Sequence, residues 1–217
     1  MKINLRDIGS GISGCRLPAA ALLLLSAGLG LVTSCSLPIP PAQPDLTRYF
    51  VLQQQVRPAG AAEREAYPLV RLKSVDVPAY LSEKPLAVRR GENEIRYLET
   101  ARWAEPLDQD LARNIRLGLG SIPGLVVLSR YDTTGRWDYD LSIRIAACEG
   151  TEDRTVRFTA DWVLEPTPNA SLPRRAGTFR GKDLAWDGKT PESLVAALSQ
   201  GVNQLCDALA DALRAPR

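Results

Sequence analysis

Tyr139-Asp140-Leu141-Ser142-Ile143-Arg144-Ile145-Ala146-Ala147 and Val156-Arg157-Phe158-Thr159-Ala160-Asp161-Trp162-Val163-Leu164 decide the fold of this chain. In the first stretch Tyr139, Leu141, Ile143, Ile145 and Ala147 alternate with polar or small residues. In the second, Val156, Phe158, Ala160, Trp162 and Leu164 do the same. A period of two buries one face of a strand and leaves the other wet. The charged stretch Glu149 to Arg154 reads as a turn, so the strands are expected to pair antiparallel. Arg144, Arg157 and Asp161 fall on the wet face, which is the expected place for a partner.

Two helices are expected to cover the apolar face. Pro106 suits a first helical position, Asp108 and Asp110 suit the first turn, and Leu107, Leu111, Ile115 and Leu119 recur every four residues. Thr190-Pro191-Glu192 opens a final helix with a cap, a proline and an acid, and its apolar row is Leu194, Leu198, Val202, Leu205, Leu209 and Leu213. Further strands are expected at Arg48–Leu52, Leu69–Val77, Leu86–Arg90, Glu94–Leu98, Leu125–Leu128 and Thr178–Trp186. A phase shift near Ser74 predicts a bulge, and Gly91-Glu92-Asn93 a hairpin loop. The expected fold is α+β (mixed α/β), with a single mostly antiparallel sheet of about six or seven strands and two main helices packed on one face.

At the N-terminus, Lys2, Arg6 and Arg16 flank an apolar stretch from Leu17 to Val32 that runs into Leu31-Val32-Thr33-Ser34-Cys35. Basic flank, short apolar core and small residues make the layout of a secretory signal. An aliphatic residue and two small ones before a cysteine resemble a bacterial lipobox, so Cys35 is the expected lipidation site and first mature residue. A retained membrane span is disfavoured, because about 16 apolar residues fall short of the roughly 20 that cross a bilayer. An ordinary signal with Cys35 incidental is the other reading. Residues 1–34 are thus expected as a lipoprotein signal peptide, 35–47 as lipidated cysteine and tether, and 48–217 as the folded domain. Pro38, Pro40, Pro41 and Pro44 make Ser36 to Leu46 an extended spacer reaching ~30 Å at ~3.1 Å per residue.

The chain has 27 basic and 25 acidic residues, and the signal holds three of the former (Lys2, Arg6, Arg16) and one of the latter (Asp7). The mature protein is formally neutral, and no basic stripe with interleaved aromatics suggests nucleic acid. There is no histidine. That excludes Ser-His-Asp and Cys-His catalysis and histidine-bound metal.

Of four cysteines, Cys15 leaves with the signal and Cys35 is lipidated. Export would permit a disulfide between Cys148 and Cys206. However, Cys148 is out of phase with the apolar row of its strand, which favours two separate thiols.

Other motifs carry little chemistry. Gly118-Leu119-Gly120-Ser121-Ile122-Pro123-Gly124 resembles a phosphate loop, but it ends a helix and precedes a strand, so capping explains it. Asp108 with Asp110, Asp138 with Asp140, and Glu149 with Glu152 and Asp153 lack calcium-loop spacing and read as solvated or capping groups. Trp103 and Trp162 are expected in the core, with Trp186 open between core and ligand platform. No cofactor is expected.

Three stretches carry a resemblance. Val75-Asp76-Val77-Pro78-Ala79-Tyr80-Leu81, Trp103-Ala104-Glu105-Pro106-Leu107-Asp108-Gln109-Asp110-Leu111 and Pro123-Gly124-Leu125-Val126-Val127 are similar, in order and spacing, to the ABC-type transport auxiliary lipoproteins (PqiC-like membrane-integrity transporter subunits). The strand Asp161-Trp162-Val163-Leu164 fits as well. The resemblance implies a non-enzymatic lipoprotein on the periplasmic face of the outer membrane. It would serve a mammalian-cell-entry (MCE) domain transport protein and its membrane complex, with lipid as cargo, and form a homo-oligomeric ring. Pro78, Tyr80, Leu81, Trp103, Pro106 and Leu107 are then family motif residues with structural roles. The alternative is an outer-membrane lipoprotein regulating a cell-wall enzyme.

Overall fold

A computed structural model describes residues 44–54, 67–132 and 135–214. Strand β6 (Tyr139–Thr151) is the spine of the sheet. Along one edge it pairs antiparallel with β7 (Val156–Pro166), which pairs antiparallel with β8 (Arg175–Arg180). Along the other edge, β2 (Val70–Asp76) runs parallel to its first half, with the short β5 (Val127–Leu128) beyond. Further along that edge, β3 (Pro85–Arg90) runs parallel to Gly150 and Thr151. It continues the sheet through the antiparallel β4 (Glu94–Trp103) and the short β1 (Arg48–Phe50), which is parallel to β4.

This is an α+β fold with one mixed sheet, and most of its ladder is antiparallel. The described residues contain eight strands, against the six or seven expected in the sheet: each of the eight stretches read as strand joins it, β1 and β5 shortened to three and two residues. β4 continues to Trp103 instead of stopping at Leu98. The last strand is Arg175–Arg180 rather than Thr178–Trp186. Beyond it the chain turns through Gly181 and Asp183, the latter at φ 54°, and Ala185 keeps only an isolated bridge to Thr155. The hairpin between β3 and β4 and the bulge before Ser74 both form where the sequence predicts them.

α1 (Leu107–Gly120) and α2 (Pro191–Arg214) lie side by side on one face of the sheet. Leu107, Leu111, Ile115 and Leu119 bury against it, as do Leu194, Leu198, Val202, Leu205, Leu209 and Leu213. Each such side chain contributes about 1.5–3 kcal/mol on leaving water, so these two rows hold the layers together. Gly118 lies inside α1 rather than in its cap. A Cβ there would come within 2.7 Å of Cys206 Sγ on α2, so glycine permits the close approach of the helices.

A second bulge in β6 changes the reading of the cysteines. Ile145 pairs with Ala160 and Ala147 with Thr159, leaving Ala146 as an extra residue. The phase reverses there. Cys148, opposite Phe158, therefore faces the helices, while Ala147 and Glu149 turn to the other side. The expected out-of-phase position of Cys148 is thus corrected. Cys148 and Cys206 are nonetheless buried, separate thiols.

Candidate functional site

Residues 1–43, with the expected lipobox, the expected lipidation site Cys35 and most of the expected proline-rich tether, lie outside the described residues. The structure begins where the tether would meet the domain, and that root is fastened at several points. Asp45 Oδ1 accepts the Thr47 N–H at 2.9 Å. Arg48 pairs with Glu192 at the start of α2, and the hydrogen bond from its guanidinium holds the Glu192 carboxyl below its ordinary value. β1 pairs with the end of β4, and Ala104 N–H donates to the Phe50 carbonyl at 2.9 Å. The Leu52 N–H donates to Asp110 Oδ2 at 2.8 Å, and the Gln53 N–H to Ser199 Oγ at 3.1 Å. Gln54 donates to the Asn203 side chain.

Asp110 is the centre of this root. It is fully buried, and besides Leu52 it accepts from Asn114 Nδ2 at 2.6 Å and from Arg113, which also reaches Glu105 at 2.6 Å. The expectation of a first-turn acid holds for its position, but burial and the bond to Leu52 give it a further role that the helical pattern did not reveal. One signal was available. Asp110, Asn114 and Gly118 form an i, i+4, i+8 row beside the leucine stripe, and all three are buried.

The motif residues fall into two groups. Trp103 and Leu107 are core, 4% and 2% exposed, and the Pro106 carbonyl accepts the N–H groups of Gln109 and Asp110 as α1 begins. Pro78 opens a single 3-10 turn, Ala79–Leu81, closed by the Leu81 N–H on the Pro78 carbonyl at 2.9 Å. Leu81 is buried. Tyr80 donates its hydroxyl to Glu149 Oε2 at 2.6 Å, and Tyr97 donates to the Tyr80 carbonyl at 2.9 Å.

The sequence predicts Glu149 as a solvated loop acid with Glu152 and Asp153. It is instead fully buried in β6, because the strand runs past Ala147 to Thr151. Arg89 donates to it at 2.7 Å, and the Cys148 N–H at 3.3 Å. A buried carboxylate needs such partners, since isolated charge is expensive to desolvate. Glu152 and Asp153 are exposed. Burial, and then the Glu149 and Asp110 charges, push the Cys148 thiol up, which removes nucleophilic character. Cys206 Sγ lies 3.8 Å from the Ile115 carbonyl.

The helix-free face is polar. Arg144 pairs across from Asp161, which accepts the Thr178 hydroxyl at 2.6 Å, and Arg157 lies opposite Glu149 along the same ladder. Arg144, Arg157 and Asp161 are all exposed. Further along, Arg71 makes a bidentate pair with Asp140 at 2.8 and 2.9 Å and stacks over Trp137 at 3.8 Å. Asp138 accepts the Leu69 N–H at 2.7 Å, so this carboxylate pair fixes β2 to β6.

At the opposite end, Asp187 organises the entry to α2 by accepting from Lys189 N–H, Thr190 N–H and Oγ1, and Ser193 Oγ. These bonds, Thr190 foremost, hold its carboxyl far below the ordinary range. Trp162 packs against the core, and Trp186 is buried and donates to the Thr151 carbonyl at 3.2 Å. Among the described residues no group of carboxylates and cysteines could hold a metal ion. None of their helices is long and apolar enough to cross a membrane.

The fold is shared with solved structures. An uncharacterised protein superposes with a TM-score of 0.61 at 23% identity, covering 76% of this chain and 97% of its own. Protein XCC0632 from Xanthomonas campestris gives 0.57 at 17%, covering 75% and 92%. A PelC dodecamer from Paraburkholderia phytofirmans gives 0.36 at 13%, covering 70% and 96%, which is too distant to argue for a common assembly. No curated protein matches the chain. A family model described as the ABC-type transport auxiliary lipoprotein component matches residues 50–210, from β1 into the last turns of α2. That span takes in Leu52 and Gln53, the Asp110 and Glu149 clusters and the three motif stretches, and it places the chain in the ABC-type transport auxiliary lipoprotein family.

Proposed function

We propose that the protein is an outer-membrane-anchored periplasmic accessory lipoprotein of an MCE-type, ABC-linked lipid transport system. Acylated Cys35 holds it to the membrane, since several acyl chains at about 0.8 kcal/mol per buried methylene give firm attachment. The proline-rich stretch spaces the domain, and the domain docks the transport complex and supports envelope integrity. No phosphate-binding loop is present in the sequence, so ATP use belongs to a partner.

The observation that carries this reading is the junction of the lipobox-like stretch with a domain of the auxiliary lipoprotein family, in which the segment just after the first strand, through Leu52 and Gln53, is fastened to both helices. A domain meant to hang from a tether needs its entry point fixed. The exposed polar face with Arg144, Arg157 and Asp161 is the docking surface, and an assembly of several copies in a ring suits a tunnel-forming partner.

The test is a tagged pull-down from detergent-solubilised envelopes, with mass spectrometry of partners and of the mature N-terminus. An MCE-domain protein recovered with triacylated Cys35 supports the reading. Recovery of a cell-wall synthase would replace it with the regulator, and an unacylated N-terminus would remove the anchor.

A further inference from the structure

We propose that the groove between α1 and the bulge of β2 binds the headgroup of an anionic phospholipid. This goes beyond the docking role, and it stands on the groove alone. The groove encloses about 340 Å³, and its wall combines Leu72, Val75 and Ala112 with the cations Lys73, Arg113, Arg116 and Arg130. That volume is within the range of small-molecule sites, roughly 300–1,000 Å³.

The bulge is what builds the basic side. Leu72 pairs with Leu141 and Ser74 with Ser142, so Lys73 is the extra residue and escapes the alternation of the strand. It joins the row of α1 in which Arg113 and Arg116 stand three residues apart. Bulges often re-aim a side chain at a functional position.

Arg113 is engaged by Glu105 and Asp110. Among the described residues, Lys73, Arg116 and Arg130 form no ion pair, and Asp108 is the one carboxylate on the wall. Three cations without an ion pair facing a single carboxylate leave the wall net positive and focus a field on an incoming anion. The mature chain is formally neutral, so this local excess is not a by-product of a basic protein.

Apolar surface beside the cations selects an amphiphile over a simple anion. Arg130 lies over the Tyr131 ring at 4.7 Å, and Tyr131 is 74% exposed. The same stretch, 117–131, also exposes Leu117 and Val126. An aromatic with a polar tip beside a cation suits the boundary between headgroup and acyl chain. Inorganic phosphate would leave those residues in water.

The test is titration calorimetry on the full acylated chain in a non-ionic detergent, with dihexanoylphosphatidylglycerol, dihexanoylphosphatidylcholine, inorganic phosphate and hexaglutamate as probes. Phosphatidylglycerol should bind at least tenfold more tightly than the other three. The double variant Lys73→Glu/Arg116→Glu should weaken it at least tenfold, whereas Arg96→Glu on β4, outside the groove, should leave it unchanged. All three positions are exposed, so thermal melts should match the parent. Absence of phosphatidylglycerol binding, equal binding of phosphate, preference for hexaglutamate, or full binding by the double variant would each overturn the proposal. Continued recovery of the MCE-domain partner by the double variant would leave the docking role standing without this site.

Discussion

The backbone N–H of Leu52 donates to Asp110 Oδ2 at 2.8 Å, and this bond ties the segment that follows β1 to the first turn of α1. The carboxylate is fully buried, so its partners cannot be replaced by water. Asp110→Ala leaves the Leu52 N–H without an acceptor, at a cost of about 1–3 kcal/mol. For a domain of this size that lowers Tm by roughly 2–4 °C per kcal/mol. Calorimetric melts of the two proteins check it, and an unchanged Tm would contradict the clamp.

Arg89 and Glu149 form the second buried attachment, and Arg89 is only 17% exposed. Glu149→Ala strands a largely buried guanidinium, and breaking such a pair costs about 3–5 kcal/mol. The double variant Arg89→Met/Glu149→Leu should recover most of that loss, because it removes both charges together. Denaturant midpoints of the single and double variants measure the difference.

Tyr80 gives a dependence on alkaline pH. Burial, and then the hydrogen bond and charge of Glu149, push its phenol well above the ordinary value. A raised folded-state value favours the neutral form. Its contribution is therefore complete below about pH 10, the ordinary tyrosine value, and is lost as pH rises further. Between about pH 9 and 11, Tyr80→Phe should show a flatter loss of stability than the parent in urea titrations. Parallel curves would show that Tyr80 does not carry this dependence.

Gly177 lies opposite Trp162 on the neighbouring strand, and a Cβ there would come within 2.7 Å of the indole ring. Gly177→Ala must displace a packed ring rather than a flexible chain end. The expected loss is about 1–3 kcal/mol. Near-ultraviolet circular dichroism should report the altered Trp162 environment alongside the lower midpoint.

The layers of this fold were legible because their periodicities are long and clean. Leu107, Leu111, Ile115 and Leu119 reveal α1, and the alternation in 139–145 and 156–164 reveals the spine of the sheet. What the pattern concealed was the bulge at Ala146. One extra residue reverses every later side chain of β6, so simple alternation puts Cys148 on the wrong face and the charge of Glu149 suggests a loop. The buried charges escaped for the same kind of reason. Asp110 and Glu149 are identified by partners far away in the chain, Leu52 and Arg89, and such pairings leave no local periodicity. The apolar pattern overruns the end of β8 because Leu184 and Trp186 are buried as core residues without being strand.

Site-specific photocrosslinking in intact envelopes tests the docking role most directly. A photoreactive residue at Arg144 or Asp161 places the probe on the polar face, and one at Gln200 on the exposed side of α2 serves as the control. The account predicts crosslinks to an MCE-domain protein from the first two positions and none from the control. Crosslinks from neither sheet position, or from Gln200 alone, would contradict it.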